Sequence, residues 1–227
     1  MADLFEFLSE FFARYGQLLI DGTIATLIMT FVSSALAYML GTPLGVLLMM
    51  SAPGSLKPNR WLYGILGWIV NIGRSIPFII LMVALIPFSR FIMGTSLGVQ
   101  GAIVPLVIAA TPFVARLIEN SLQEVPFGVI EAAQSYGAST FQIMRKVLLR
   151  EALPSIARSV PITVITIFSY TAIAGVIGAG GLGDIAVRYG YHRYQTDVMI
   201  ATIVIMVILI QVIQTLGNFG VRRIDKR

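Results

Sequence analysis

Four stretches of this chain contain no Asp, Glu, Lys or Arg: between Asp21 and Lys57, Arg90 and Arg116, Arg158 and Asp184, and Asp197 and Arg222. Each holds 24 residues or more. About 20 apolar residues carry a helix across the hydrocarbon core of a bilayer. A fifth apolar region, from Trp61 to Phe88, is interrupted only by Arg74. Charge this segregated excludes an ordinary water-soluble domain, which needs charge spread over its surface. The averages agree, with 57% hydrophobic residues, 12% charged residues and a mean hydropathy of +0.87. The expected fold is an all-α membrane protein with five transmembrane helices, at roughly 19–50, 63–88, 97–118, 157–178 and 197–218.

The basic residues give an orientation. With the N-terminus outside, the inner segments collect Lys57, Arg60, Arg116, Arg145, Lys146, Arg150, Arg158, Arg222, Arg223, Lys226 and Arg227. The outer segments collect only Arg14, Arg90, Arg188 and Arg193. Cytoplasmic loops carry the excess of Lys and Arg, so the N-terminus is expected outside and the C-terminus inside. In this setting the net charge of +5 and pI near 9.7 read as cytoplasmic anchoring rather than as affinity for nucleic acid.

Residues 1–18 form a separate N-terminal segment. Asp3, Glu6 and Glu10 precede any basic residue, which does not fit a cleavable signal peptide. Leu4, Phe5, Leu8, Phe11 and Phe12 fall at helical spacing, and the expectation is an amphipathic helix on the membrane surface. The alternative is an extension of the first span. Residues 19–218 make one transmembrane domain and 219–227 a basic cytoplasmic tail. In the first span, Gly41 and Gly45 suit close approach of a neighbouring helix, and Pro43 between them predicts a kink.

Gly73-Arg74-Ser75-Ile76-Pro77 interrupts the second apolar region. Pro77 removes a helix hydrogen bond and disfavours helix at Ile76. A charge at the bilayer centre costs on the order of 2.5–3.5 kcal/mol on insertion scales. Arg74 therefore lies near an interface as an anchor, faces a hydrated cavity, or pairs with backbone carbonyls at the break. Arg74, Ser75 and Pro77 are the candidate residues of a translocation pathway.

Several chemistries lack their residues. There is no Cys for a disulfide or thiolate site, and His192 alone makes no histidine metal cluster. No nucleophile–base pair marks a membrane enzyme, and the charge-free spans hold no carboxylate for the coupling of a secondary transporter. Gly178, Gly180 and Gly183 fit G-x-G-x-x-G, but an apolar span precedes them where a dinucleotide site needs a strand. A tight turn at the outer end of the fourth span is expected instead. The phosphate-loop pattern G-x-x-x-x-G-K-[ST] is absent, so this sequence supplies no ATP site of its own.

Residues 119–158 form the one long polar insertion, and it falls on the inside. Pro126 suits the first turn of a helix running to Tyr136. Gly137 suits the left-handed position that ends it, and Ser139 or Thr140 can cap the next helix. Phe141, Met144, Leu148 and Ala152 then form an apolar stripe, with Pro154 as the stop. The small Ala132 and Ala133 would let the first helix enter a cleft in a partner.

Glu131-Ala132-Ala133, then Gly137, then Val147-Leu148-Leu149-Arg150 resembles the EAA loop of binding-protein-dependent ABC importer permeases. Arg150 stands where that family usually has Pro, so the second helix can run on to Pro154. Arg74-Ser75-Ile76-Pro77-Phe78, Ile86-Pro87-Phe88, Gly94-Thr95-Ser96-Leu97-Gly98 and Gly178 to Gly183 with Tyr189-Gly190-Tyr191 are similar to the methionine importer permeases. The resemblance implies a type I ABC importer permease of a bacterial inner membrane, carrying methionine as a homodimer. It implies two ATP-binding subunits inside, which hold the ATP and Mg, and a substrate-binding protein outside. Glu131, Ala132, Ala133, Gly137, Ala138 and Phe141 are the residues it implies for coupling to the ATPase. The competing expectation is an ion-coupled secondary transporter of a small solute.

Overall fold

The computed structural model describes residues 2–224, and the side chains of all of these except 2–5, 7 and 8. Leu4, Phe5 and Leu8 of the N-terminal stripe, and residues 225–227 of the basic tail, lie outside that description. Every element among the described residues is helical. In chain order they are α1 (Ala2–Ser51), α2 (Arg60–Ser75), α3 (Phe78–Ala84), α4 (Ile86–Met93), α5 (Gly98–Gln123), α6 (Phe127–Ser135), α7 (140–151), α8 (Leu153–Ala174), α9 (181–191) and α10 (Thr196–Ile224). Four helices are long and apolar enough to cross a membrane, and five spans result if the broken pair α2 and α3 counts as one.

The first span is longer than the charge pattern predicts. Residues 2–18 do not break from it, because α1 is one helix of 50 residues. At 1.5 Å per residue it is about 75 Å long, over twice the ~30 Å hydrocarbon core. Pro43 lies inside it without interrupting it.

The chain forms two compact units. The first comprises residues 1–33, 78–106 and 165–212. Phe11, Tyr15 and Leu19, one turn apart on α1, bury against Ile185 and Val198 there. Leu182 donates its backbone N–H to Thr26 Oγ1 at 2.9 Å, and the rings of Phe78 and Tyr170 stack with centroids 4.5 Å apart. The glycines after α8 make the expected turn, with positive φ at Gly178, Gly180 and Gly181.

The second unit comprises residues 34–77, 107–164 and 213–227. Its core joins Leu48, Val70 and Ala115, flanked by Leu44, Tyr63 and Leu66. Gly41 and Gly45 are where α5 lies against α1. A Cβ at Gly45 would fall 2.4 Å from the Ala115 carbonyl oxygen, and one at Gly41 would fall 2.8 Å from Val114. Tyr38 ties α1 to α8 through Ser159 Oγ at 2.8 Å and Thr163 Oγ1 at 3.1 Å.

Candidate functional site

The polar insertion folds as two short helices around one turn. It is narrower than 119–158, because Glu119 to Gln123 continue α5 and 153–158 already belong to α8. Helix α5 can run on through a carboxylate because Arg116 Nη1 meets Glu119 Oε2 at 2.6 Å. Pro126 precedes α6, and Asn120 and Leu122 carbonyls accept from Glu124 and Val125 to close the end of α5.

The turn after α6 is a Schellman motif. The N–H of Gly137 donates to the Gln134 carbonyl at 2.9 Å, and that of Ala138 to the Ala133 carbonyl at 3.1 Å. These two bonds require a left-handed residue at 137, and Gly137 has φ +76°. Ser139 then caps α7 in a full capping box: its Oγ accepts from the Gln142 N–H, and its own N–H donates to Gln142 Oε1 at 2.8 Å.

Helix α7 departs from the predicted stripe. Met144, Leu148 and Ala152 are buried, but Phe141 is 70% exposed and Ile143 takes its place. The cause is a π-helical turn over Ile143–Leu148, which closes i to i+5 bonds and so aligns Ile143 with Leu148. Arg150 does not end the helix, since Leu149–Glu151 is helical. The helix ends at Glu151, just before Pro154, which cannot donate to the Arg150 carbonyl. Pro154 sits in the first turn of α8, where its missing N–H has no helical partner to lose.

One face of α6 and α7 is thus anchored and the other is bare. Ile130, Ile143 and Leu148 are buried. Glu131, Ala132 and Gly137 are exposed, and Ala133 and Ala138 are half-buried on either side of the turn. Phe127, Tyr136 and Phe141 project large rings, Tyr136 with 93% of its surface exposed. Aromatic side chains this bare are the kind that anchor protein–protein contacts. A cavity of about 490 Å³ adjoins α6, lined by Met49, Ser55, Leu122, Pro126, Ile130 and Gln134.

The other candidates sit at the break of the second span. Helix α2 ends at Ser75, and Ile76 and Pro77 carry the chain, Ile76 in extended conformation, to α3. Ser75 Oγ donates to the Asn71 carbonyl at 2.8 Å. Arg74 and Ser75 are exposed, and Arg74 has no hydrogen-bond or ion-pair partner among the described residues. Fourteen residues separate it from Arg60 at the start of α2, about 21 Å of helix. The α2–α5 contact was not foreseen: Arg116 Nη2 donates to Asn71 Oδ1 at 2.9 Å. The only sequence signal for it was a charged pair, Arg116 and Glu119, at helical spacing near the end of an apolar run.

Residues 41–227 match the family of binding-protein-dependent transport system inner membrane components. A probable D-methionine transport system permease protein of Vibrio cholerae is 52% identical over 223 residues, 98% of this chain and 99% of that one. The D-methionine transport system permease of Escherichia coli is 52% identical over 158 residues, 70% of this chain and 73% of that one. Among solved structures, a chain of the MetNI methionine ABC transporter in an inward-facing conformation superposes with a TM-score of 0.92. It is 49% identical, and the match covers 94% of this chain and 99% of that one. A chain of an amino acid ABC transporter crystallised with histidines shares the fold, with a TM-score of 0.78 at 24% identity.

Proposed function

Because the chain belongs to the family of binding-protein-dependent transport system inner membrane components, we propose that it is the membrane-spanning subunit of an ATP-driven methionine importer. The observation that carries this reading is similarity over 94% of the chain, at 49% identity, to a chain of a methionine ABC transporter. The subunit resides in a bacterial inner membrane and forms the translocation pathway with a second copy of itself. It performs no chemistry; ATP and Mg bind to two partner subunits inside, and a substrate-binding protein delivers solute outside.

The bare face of α6 and α7 is the handle on which those ATPases pull. Ala132 and Ala133 keep α6 slim enough to enter a cleft, with Glu131, Ala138 and Phe141 around them, and Gly137 aims it. ATP binding draws the ATPases together, the handles follow, and the cavity between the two copies opens outward. Hydrolysis resets it. Arg74, Ser75 and Pro77 lie on the pathway, since an exposed guanidinium without a partner among the described residues is accommodated within a span by a hydrated cavity. The orientation rests on the excess of Lys and Arg in the segments assigned to the inside.

The test is reconstitution of the purified complex, with its binding protein, in liposomes loaded with ATP. Methionine should accumulate, with hydrolysis stimulated by the loaded binding protein. Accumulation by this chain alone, driven by a proton or sodium gradient, would refute the reading.

A further inference from the structure

We propose that Asn71, Arg116 and Glu119 form a polar strut that makes the end of α2 follow the coupling loop, so that ATP-driven movement of α6 reaches residues 73–77. The inference rests on the reading of α6 as the coupling handle.

The strut is a chain of charge-assisted contacts within the second unit. Glu119 has 1% of its side chain exposed, and its two oxygens are both engaged. Oε2 takes Arg116 Nη1 at 2.6 Å, and Oε1 takes Gln123 Nε2 at 3.4 Å, on the last residue of α5. The other arm of the Arg116 fork donates to Asn71 Oδ1 at 2.9 Å. A guanidinium only donates, so the Asn71 amide is fixed with its oxygen toward Arg116. The Asn71 carbonyl, in turn, accepts from Ser75 Oγ at 2.8 Å. Three residues after Gln123 comes Pro126, and then α6. The polar chain therefore begins beside the break and ends beside the handle.

Apolar packing alone would let two helices slide. Here it is pinned on both sides of the polar contact. Val70 is fully buried with Ala115 and Leu48, and a Cβ on Gly73 would lie 2.7 Å from Pro112 Cγ. Pro112 and Arg116 are one turn apart on α5, as Val70 and Gly73 are on α2. A buried ion pair is a weak source of net stability, because desolvation cancels most of the attraction. What it supplies is fixed geometry, since the planar fork holds Glu119 and Asn71 in one arrangement. Arg116 and Asn71 are thus positioning residues for the break, and neither need touch the solute.

Asn71→Leu removes the acceptor and leaves the Arg116–Glu119 pair intact; Asn71→Asp keeps an acceptor for the guanidinium. In the reconstituted complex with its binding protein, Asn71→Leu should hydrolyse ATP at the wild-type rate. Import should fall roughly tenfold or more, as loss of a hydrogen bond to a charged group implies. Asn71→Asp should restore import. A second readout does not depend on which solute is carried. The chain has no cysteine, so Ser75→Cys provides a single thiol beside the break. Its rate of labelling by an aqueous maleimide should differ between the resting complex and one trapped with ATP and vanadate. With Asn71→Leu added, that difference should vanish. A difference that persists in the double variant, no difference in Ser75→Cys alone, or a parallel fall of import and hydrolysis in Asn71→Leu would each overturn the strut. Failure of the wild-type complex to carry methionine would instead overturn the assigned substrate, and the labelling would still decide the strut.

Discussion

Replacing Gly137 by Val tests the handle without touching the spans. Gly137 has φ +76°, and nothing lies within 4 Å of where its Cβ would be. The substitution therefore meets no clash, and its whole cost is backbone strain. For an L-residue in the left-handed region this is roughly 1–2 kcal/mol, with β-branched residues at the unfavourable end. The strain is relieved if the turn opens, giving up the bonds from Gly137 to Gln134 and from Ala138 to Ala133. The equilibrium for holding α6 in its observed direction then shifts by about 5- to 30-fold.

Nothing else in the chain needs to move. The buried residues that anchor the loop, Ile130, Ile143 and Leu148, remain as they are. The expected outcome is normal membrane insertion and dimerisation, with either weaker retention of the ATPase subunits on an affinity column or hydrolysis that no longer follows uptake. Gly137→Asn serves as the control, because Asn tolerates the left-handed region, and it should recover most of the loss. Wild-type methionine uptake by Gly137→Val, at equal expression, would refute both the strain argument and the handle.

Ala132→Trp should give the same ATPase-binding defect by bulk, since Ala132 is exposed on α6 and tolerates Trp in the isolated chain; copurification measures it. Gly45→Leu should lower stability in detergent by about 1–3 kcal/mol of overpacking or more, read as a lower unfolding temperature, because the Ala115 backbone at 2.4 Å cannot step aside. Glu119→Leu should also lower it, toward the roughly 3–5 kcal/mol of a broken buried pair, less what the 21% exposure of Arg116 returns through water. A cytoplasm-dependent reporter should be active when fused after Arg227 and silent when fused to the N-terminus.

Much of this was legible in the sequence because lipid and backbone geometry impose simple rules. Charge-free runs mark spans, since a helix must satisfy its own backbone and exclude charge to cross the bilayer. Gly137 and Ser139 announced their turn because few residues accept a left-handed φ or cap a helix well. The failures share a different cause. Counting at 3.6 residues per turn places Phe141 on one apolar stripe with Met144, Leu148 and Ala152, and a π-helical turn at Ile143–Leu148 puts Ile143 there instead. Pro154 marks the stop as expected, and the same Pro also serves in the first turn of the helix that follows. Glu119 was assigned to the polar loop on its charge, and its burial depended on Arg116 folding back along the same helix. The Asn71–Arg116 contact spans 45 residues, and no local pattern reports it.

The exposed polar groups also bear on why this chain needs a second copy. Asn71, Arg74 and Ser75 are exposed on α2, Ser169 on α8, and Gln211 and Gln214 on α10. Each lies within or beside a charge-poor span, where a lipid tail can satisfy no hydrogen bond. Ser169 escapes by donating to the Ile165 carbonyl at 3.1 Å, as Ser75 does to Asn71. Arg74 makes no such bond, and it pairs with none of the described residues. A face carrying it must meet water or another protein surface. Only 11% of the apolar window of α10 is buried, so lipid or a neighbouring chain covers most of that helix. A pair of chains can enclose that guanidinium in a hydrated cavity, which is what the proposed pathway role of Arg74 requires.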